Sequence, residues 1–313
     1  MSLACFFPGQ GAQYVGMGKD FWDEFAIVRE YFEQADDLLQ MTLSKVIFEG
    51  PEEALTRTDM SQLAIFVTST ALYAVLEREL GLQPVLFAGL SLGEYSVLFA
   101  SKKIGFEECL HLVKKRGEFM SHACDETQGG MAVLLGLEGD VVEEKVRELD
   151  LPKDLWVANF NCPGQVVVSG TLKGIEAVQQ AAPSWGAKRV IPLKVHGAFH
   201  SGLMESAETR LKYYIDQVSL KNSSFRLFAN VTGEEVTSHD EIRRSLTAQV
   251  THPVRFESCI REMVAAGAAT AFEVGPGKTL GGMIKKGGLP EVLSLNTVED
   301  LKKFEKEKVS YGF

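Results

Sequence analysis

The stretch Val85-Leu86-Phe87-Ala88-Gly89-Leu90-Ser91-Leu92-Gly93 decides the fold. Its first four residues form a short apolar run suited to a buried strand, and residues 92–100 read as a helix. Between them stands Gly-x-Ser-x-Gly, so strand passes into helix through a tight turn that carries a serine. Working outward, runs rich in Val, Phe and Ile recur at residues 3–7, 225–229, 271–274 and 292–295, separated by helical stretches. Short buried strands alternating with helices predict an α/β core with a mostly parallel sheet covered on both faces.

Residues 128–195 keep a different rhythm: strand (131–137), helix (141–149), strand (155–160), strand (166–169), helix (172–185), strand (189–195). This β-α-β-β-α-β order is ferredoxin-like, and Cys162-Pro163-Gly164 suits the turn between the two middle strands. The expected division is a catalytic core of residues 1–127 and 196–313, with a small domain of residues 128–195 inserted into it. Residues 298–308 read as a Glu/Lys-rich amphipathic helix on the solvated end.

With 313 residues, 45% of them hydrophobic, the chain has the composition of a globular protein with a substantial core. A net charge of -10 argues against nucleic acid, whose phosphates call for a basic face, and no 18-residue apolar run suggests a membrane span. The opening residues run straight into a strand and a glycine turn, leaving no room for a secretory signal, so a cytoplasmic or already processed chain is expected. The 5 cysteines are odd in number and lack a C-x-x-C pair, which fits neither a disulfide framework nor a zinc knuckle.

Gly89 and Gly93 flank Ser91 as a nucleophile elbow requires, lifting the hydroxyl out of the sheet edge. The helix that starts there aims N–H groups at the reacting centre, where an oxyanion would form. The alternative, a glycine-lined turn with an incidental serine, is weakened because strand and helix flank the motif in the required order.

A serine nucleophile needs a general base, and of the 6 histidines His200 has the best setting, on a loop that leads from a strand to a helix near Ser201. His196 lies four residues earlier, but Pro192 and Gly197 interrupt the helix that a His-x-x-x-His metal pair needs, so no metal site is expected. His111, His122 and His239 read as surface residues. No acidic residue stands out as a third member of a triad; a backbone carbonyl is the other way to orient the imidazole.

In the helix over residues 106–120, Cys109, Leu112, Val113, Phe119 and Met120 form an apolar stripe, and Arg116 falls on it. Two readings stay open: a snorkelling side chain, or a buried cation. A buried guanidinium left without an anion would cost about 3–5 kcal/mol, so the second reading calls for a carboxylate, which a substrate can supply bidentately. Two other motifs fail: Gly9-Gln10-Gly11 has Tyr14 at the third glycine of a dinucleotide fingerprint, and Gly277-Lys278-Thr279 has Phe272 at the first glycine of a phosphate loop. No nucleotide cofactor is expected.

Taken together, Phe7-Pro8-Gly9-Gln10-Gly11, Gly89-Leu90-Ser91-Leu92-Gly93-Glu94-Tyr95, Lys115-Arg116-Gly117, Asn159-Phe160-Asn161, Pro163-Gly164-Gln165, Gly197-Ala198-Phe199-His200-Ser201 and Glu273-Val274-Gly275-Pro276-Gly277-Lys278 span nearly the whole chain. In this order they resemble the malonyl-CoA:acyl carrier protein transacylases of type II fatty acid synthesis, relatives of polyketide synthase acyltransferase domains. The resemblance implies an α/β-hydrolase-like core with a ferredoxin-like small domain. It also implies Ser91 as nucleophile, His200 as base, Arg116 as clamp for malonate's free carboxylate, and the N–H groups of Gln10 and Leu92 as oxyanion hole. Gln249 stands where the family orients the histidine through a backbone carbonyl. Asn161 falls within a matching substrate-side motif, and Phe199 resembles malonyl-selective members.

Two departures are visible: Leu90 stands where many members have His, and His252 where Asn is common. The implied reaction is ping-pong, from malonyl-CoA to the phosphopantetheine thiol of acyl carrier protein, without a cofactor. A serine thioesterase or esterase, and a catalytically silent carrier-protein-binding subunit, are the competing readings. Because the chain is itself acidic, docking an acidic carrier calls for a local basic patch, with Lys102, Lys103, Lys188, Arg189, Lys285 and Lys286 as candidates.

Overall fold

The computed structural model describes residues 2–307; Met1 and Lys308, the latter the last residue of the expected terminal helix, lie outside the described residues. Ten strands are numbered in chain order: β1 (Ser2–Phe7), β2 (Leu86–Gly89), β3 (Gly129–Leu135), β4 (Leu155–Cys162), β5 (Gln165–Thr171), β6 (Arg189–Pro192), β7 (Arg226–Phe228), β8 (Glu235–Val236), β9 (Ala268–Val274) and β10 (Glu291–Leu295). They make two sheets, one of order β10-β9-β1-β2-β7-β8 and one of order β4-β5-β3-β6. In the larger, all pairs are parallel except β7 with the edge strand β8. The fold is therefore α/β with a mixed, mostly parallel sheet.

Alternation along the strands explains why this sheet is covered on both faces. Cys5 and Phe7 of β1 and Phe87 of β2 enter a large core beneath the helices Ala26–Leu39, Thr58–Arg78 and Phe106–Glu126. Ala4, Phe6, Leu86 and Ala88 enter a second core against the helix Phe256–Ala265. Thr58–Arg78 has the length and composition of a membrane helix, yet most of it is buried inside the protein. The terminal helix Val298–Glu307 is less solvated than its charges suggest, since Val298, Leu301 and Phe304 pack into the large core.

The smaller sheet is antiparallel throughout. Ala132, Leu134, Val166 and Val168 face its own helices, Gly139–Glu148 and Leu172–Ala181, leaving Met131 and Val167 for the large core. The helix expected over 172–185 ends four residues early, with a 3₁₀ turn over Ala182–Trp185, because Pro183 cannot continue an α-helical ladder. β6 stops at Pro192, short of the expected residue 195, and the edge pair β7–β8 includes a two-residue strand too short to show in the sequence pattern. The sheets meet where Phe160 N donates to Val254 O (2.9 Å) and Val254 N to Ala158 O (2.8 Å), which ties β4 to the segment after Gln249.

Candidate active site

The site gathers at the carboxyl ends of β1, β2 and β7, where parallel sheets collect their reactive loops. The elbow requires its glycines for close approach. A Cβ on Gly89 would lie 2.1 Å from the carbonyl carbon of Gly93, and one on Gly93 would lie 2.2 Å from Phe7 O. With both absent, the helix Gly93–Ala100 starts directly above β2 and Ser91 is held at φ 52°. That left-handed conformation is unusual for a side-chain-bearing residue and is the strained tip expected of an elbow.

Ser91 Oγ lies 2.8 Å from His200 Nε2, and His200 Nδ1 lies 2.7 Å from Gln249 O. A carbonyl can only accept, so Nδ1 carries the proton and the Nε2 lone pair faces the serine hydroxyl. His200, itself at φ 58°, is anchored by its own N–H on Val250 O (3.0 Å). A 3₁₀ turn, Gly202–Met204, intervenes before the helix Glu205–Gln217 that was expected to begin near Ser201. Burial, reinforced by the positive charge of Arg116, pushes the imidazole down from 6.5 to about 4, although the Gln249 carbonyl pulls the other way. The imidazole is thus neutral at pH 7.

Arg116 is 1% exposed, which decides between its two readings in favour of a buried cation. Nη1 donates to Gln62 Oε1 (2.6 Å), and Nη2 donates to both Ser91 Oγ (2.9 Å) and Gln249 Oε1 (3.0 Å). Its Cζ lies 5.4 Å from the centre of the Tyr95 ring, and Nε has no partner among the described residues. Desolvation lowers its pKa, with Tyr95 and Glu94 opposing. Among the described residues no carboxylate forms an ion pair with it, so amides and a hydroxyl take the place of the expected anion.

These groups open on a cavity of about 230 Å³ between the two sheets, also lined by Gln10, Leu90, Asn161, Phe199 and Met283. Neither Gln10 N nor Leu92 N donates a hydrogen bond within the described residues; Leu92 follows Ser91 in the chain, and Gln10 lines the same cavity. Asn161 is buried with an unpartnered Oδ1. Leu90, in place of histidine, packs against the second core, as does Met283, while His252 is exposed and turns its Nδ1 to Thr251 Oγ1 (2.9 Å) and Ala248 O (3.0 Å).

His196 stands apart from His200, its Nε2 3.3 Å from Asp125 Oδ1. His111 and His122 are exposed, but His239 is only partly so. Two residues of the expected basic patch are otherwise engaged. Lys103 is buried against Ser223 O (3.2 Å), and Lys102 pairs with Glu77 (2.6 Å). Lys188, Arg189, Lys285 and Lys286 are exposed.

Sequence reasoning missed Gln62, Glu94, Asn230 and the Gln249 side chain. Asn230 Oδ1 accepts from Ser91 N (2.8 Å) while Nδ2 donates to Gly89 O (2.7 Å), clamping the elbow on both sides. Two signals were available: Asn230 is a polar residue just past the end of the strand beside β2, and Glu94 is a lone charge in an otherwise apolar helix.

Residues 5–307 match the acyl transferase domain family. Over 287 residues the chain is 42% identical to a malonyl CoA-acyl carrier protein transacylase of Bacillus subtilis (strain 168), covering 91% of this chain and 90% of that one. The crystal structure of a malonyl CoA-acyl carrier protein transacylase from Clostridium perfringens superposes with a TM-score of 0.94 at 36% identity, covering 100% of this chain and 98% of that one. A malonyl-transacylase solved in complex with a type II PKS acyl-carrier protein gives a TM-score of 0.93 at 32% identity, covering 97% and 98%. With an acyl transferase domain over nearly all its length and this degree of identity, the chain belongs to the malonyl CoA-acyl carrier protein transacylase family.

Proposed function

We propose that this enzyme transfers a malonyl group from malonyl-CoA to the phosphopantetheine thiol of acyl carrier protein, through a malonyl ester on Ser91, in fatty acid biosynthesis. The observation that carries the reading is Arg116, a fully buried cation with one N–H on Ser91 Oγ at 2.9 Å. An acyl group on that oxygen lies beside a guanidinium that no carboxylate of the described chain neutralises. A free carboxylate on the acyl group completes the pair.

In the first half-reaction Ser91 Oγ attacks the thioester carbonyl as its proton passes to His200 Nε2. The oxyanion is received by Gln10 N in the loop after β1 and by Leu92 N at the start of the helix Gly93–Ala100, each such donor being worth roughly 10²–10³ in rate. Collapse breaks the carbon–sulfur bond, and the proton on His200 goes to the departing coenzyme A sulfur. In the second half the carrier's thiol gives its proton to His200, its sulfur attacks the ester, and the proton returns to Ser91 Oγ. The Gln249 carbonyl holds the histidine tautomer and stabilises the imidazolium. Phe199 walls the acyl pocket, and Asn161 Oδ1 offers an acceptor to an amide N–H of the incoming arm. The residues bring all the chemistry required, so no metal or cofactor takes part in the scheme.

The same reading takes residues 1–127 and 196–313 as an α/β-hydrolase-like core and residues 128–195 as an inserted ferredoxin-like domain. The parallel order β9-β1-β2-β7 around the elbow and the antiparallel order β4-β5-β3-β6 support it. The exposed cations Lys188, Arg189, Lys285 and Lys286 flank segments that reach the cavity through Leu193 and Met283, an arrangement suited to docking an acidic carrier. On this proposal the enzyme works in the cytoplasm. Mass spectrometry after incubation with malonyl-CoA tests the proposal: a malonyl adduct on the Ser91 peptide, absent from Ser91→Ala, is expected, and an unmodified Ser91 would reject it.

A further inference from the structure

The helix Gly93–Ala100 is buried along its whole length, and Glu94 is its single charge. Glu94 Oε2 accepts from Gln249 Nε2 (2.7 Å) and from Asn230 N (3.1 Å). These are the two residues that hold the reacting groups. Gln249 takes the His200 N–H on its backbone oxygen and the Arg116 N–H on its side-chain oxygen, while Asn230 holds the amide of Ser91. Glu94 therefore anchors the whole arrangement from behind without touching a reacting atom.

A side-chain amide has an accepting end and a donating end, and only one orientation suits this place. With Oε1 toward Arg116, Gln249 accepts from the guanidinium; turned over, it would set N–H against N–H and leave Arg116 Nη2 without that acceptor. Ser91 O (3.0 Å) and Asn230 Oδ1 (3.2 Å) help draw Nε2 the other way, but Glu94 is its shortest contact. Both bonds to Glu94 fall on one oxygen, so what the network uses is an acceptor at that point. Burial raises the carboxyl to about 7, opposed by Gln249, Asn230 and Arg116, and an acceptor oxygen is present in either protonation state.

We propose that Glu94 is a positioning residue of acyl transfer: by accepting from Gln249 it fixes the amide orientation that aims Arg116, and so sets the preference for an acyl group bearing a carboxylate. This rests on the reading of Arg116 given above.

The test is kcat/KM for loading Ser91 from malonyl-CoA and from acetyl-CoA. Glu94→Ala is expected to lower malonyl loading ~10²-fold and acetyl loading by no more than ~10-fold, as a misaimed clamp costs the donor that uses it most. Glu94→Gln keeps an acceptor at the Oε2 position and is expected to restore the malonyl-to-acetyl preference to within about threefold of the parent. If Glu94→Ala does not fold, Glu94→Asp withdraws the acceptor by one methylene and is expected to lose the preference in soluble protein. An unchanged preference in the Ala or Asp variant, or a Gln variant as impaired as the Ala variant, overturns the proposal. A parent enzyme that never gains a malonyl ester at Ser91 overturns the underlying reading and the proposal with it, whereas normal loading with an unchanged ratio overturns the role of Glu94 alone.

Discussion

Arg116 Nη2 lies 2.9 Å from Ser91 Oγ, so one hydroxyl is held between a guanidinium and, on the side of His200 Nε2 at 2.8 Å, a neutral imidazole. The serine and the guanidinium proposed to receive the substrate's carboxylate are thus parts of one hydrogen-bonded unit. Arg116→Ala is expected to cut malonyl loading by about 10²–10³-fold, the equivalent of losing a buried charge-assisted pair, while leaving acetyl loading intact or improved. Equal loss with the two donors, measured as kcat/KM, would remove the clamp.

Replacing the proposed base tests the other partner of the hydroxyl. His200→Ala is expected to slow Ser91 acylation by roughly 10²–10⁴-fold with little change in malonyl-CoA affinity, because in the proposed scheme the imidazole acts on the proton and Arg116 on the carboxylate. Rapid-quench measurement of the acyl-enzyme separates the two effects. A large loss of affinity with an unchanged acylation rate would assign His200 to binding.

The pH profile should carry the signature of burial. His200, the proposed base, has its pKa depressed from 6.5 to about 4, so it stays neutral as pH falls through 6.5. The acid limb of malonyl loading is therefore expected well below 6.5, moving toward about 4. The same shift bears on stability. The unfolded chain takes up its proton first, so the contribution of His200 is fully present above pH 6.5 and is lost as pH falls from there toward 4. A loading profile with a limb at 6.5 would show an ordinary, solvated imidazole.

The elbow glycines make a prediction about stability. A Cβ on Gly89 would meet the backbone of Gly93 at 2.1 Å, where no flexible side chain can give way. Gly89→Ala is expected to cost at least ~2 kcal/mol and so to lower Tm by roughly 3 °C or more. Gly282→Ala is the control: a Cβ there meets nothing within 4 Å, so Tm should stay the same or rise slightly. Similar Tm values for the two variants would show that the turn tolerates more bulk than its geometry allows.

Features that a local pattern can carry were legible in the sequence. The strand, glycines and helix around Ser91 announced the elbow, the spacing of Cys109, Leu112 and Val113 placed Arg116 on an inward stripe, and the order of elements in residues 128–195 foretold the smaller sheet. What escaped depends on contacts between distant segments. Nothing near Gln62 or Asn230 says that the first will meet Arg116, 54 residues away, or that the second will meet Ser91, 139 away. The left-handed φ of Ser91 is likewise imposed by tertiary packing, since serine does not favour it. The backbone oxygen of Gln249 entered through a family resemblance, whereas the use of its side chain became visible only once the elbow and the Arg116 helix were brought together.

Gly-x-Ser-x-Gly serves hydrolases as well as transferases, so the decisive quantity is the fate of the Ser91 ester. Enzyme loaded from malonyl-CoA and freed of excess donor should be mixed with holo acyl carrier protein, or with buffer alone, and the label followed on Ser91, on carrier and as free malonate. Transfer to the carrier thiol is expected to outrun release to water by orders of magnitude, with the ester persisting in buffer. Rapid appearance of free malonate that the carrier does not suppress would contradict acyl transfer and make the chain a hydrolase.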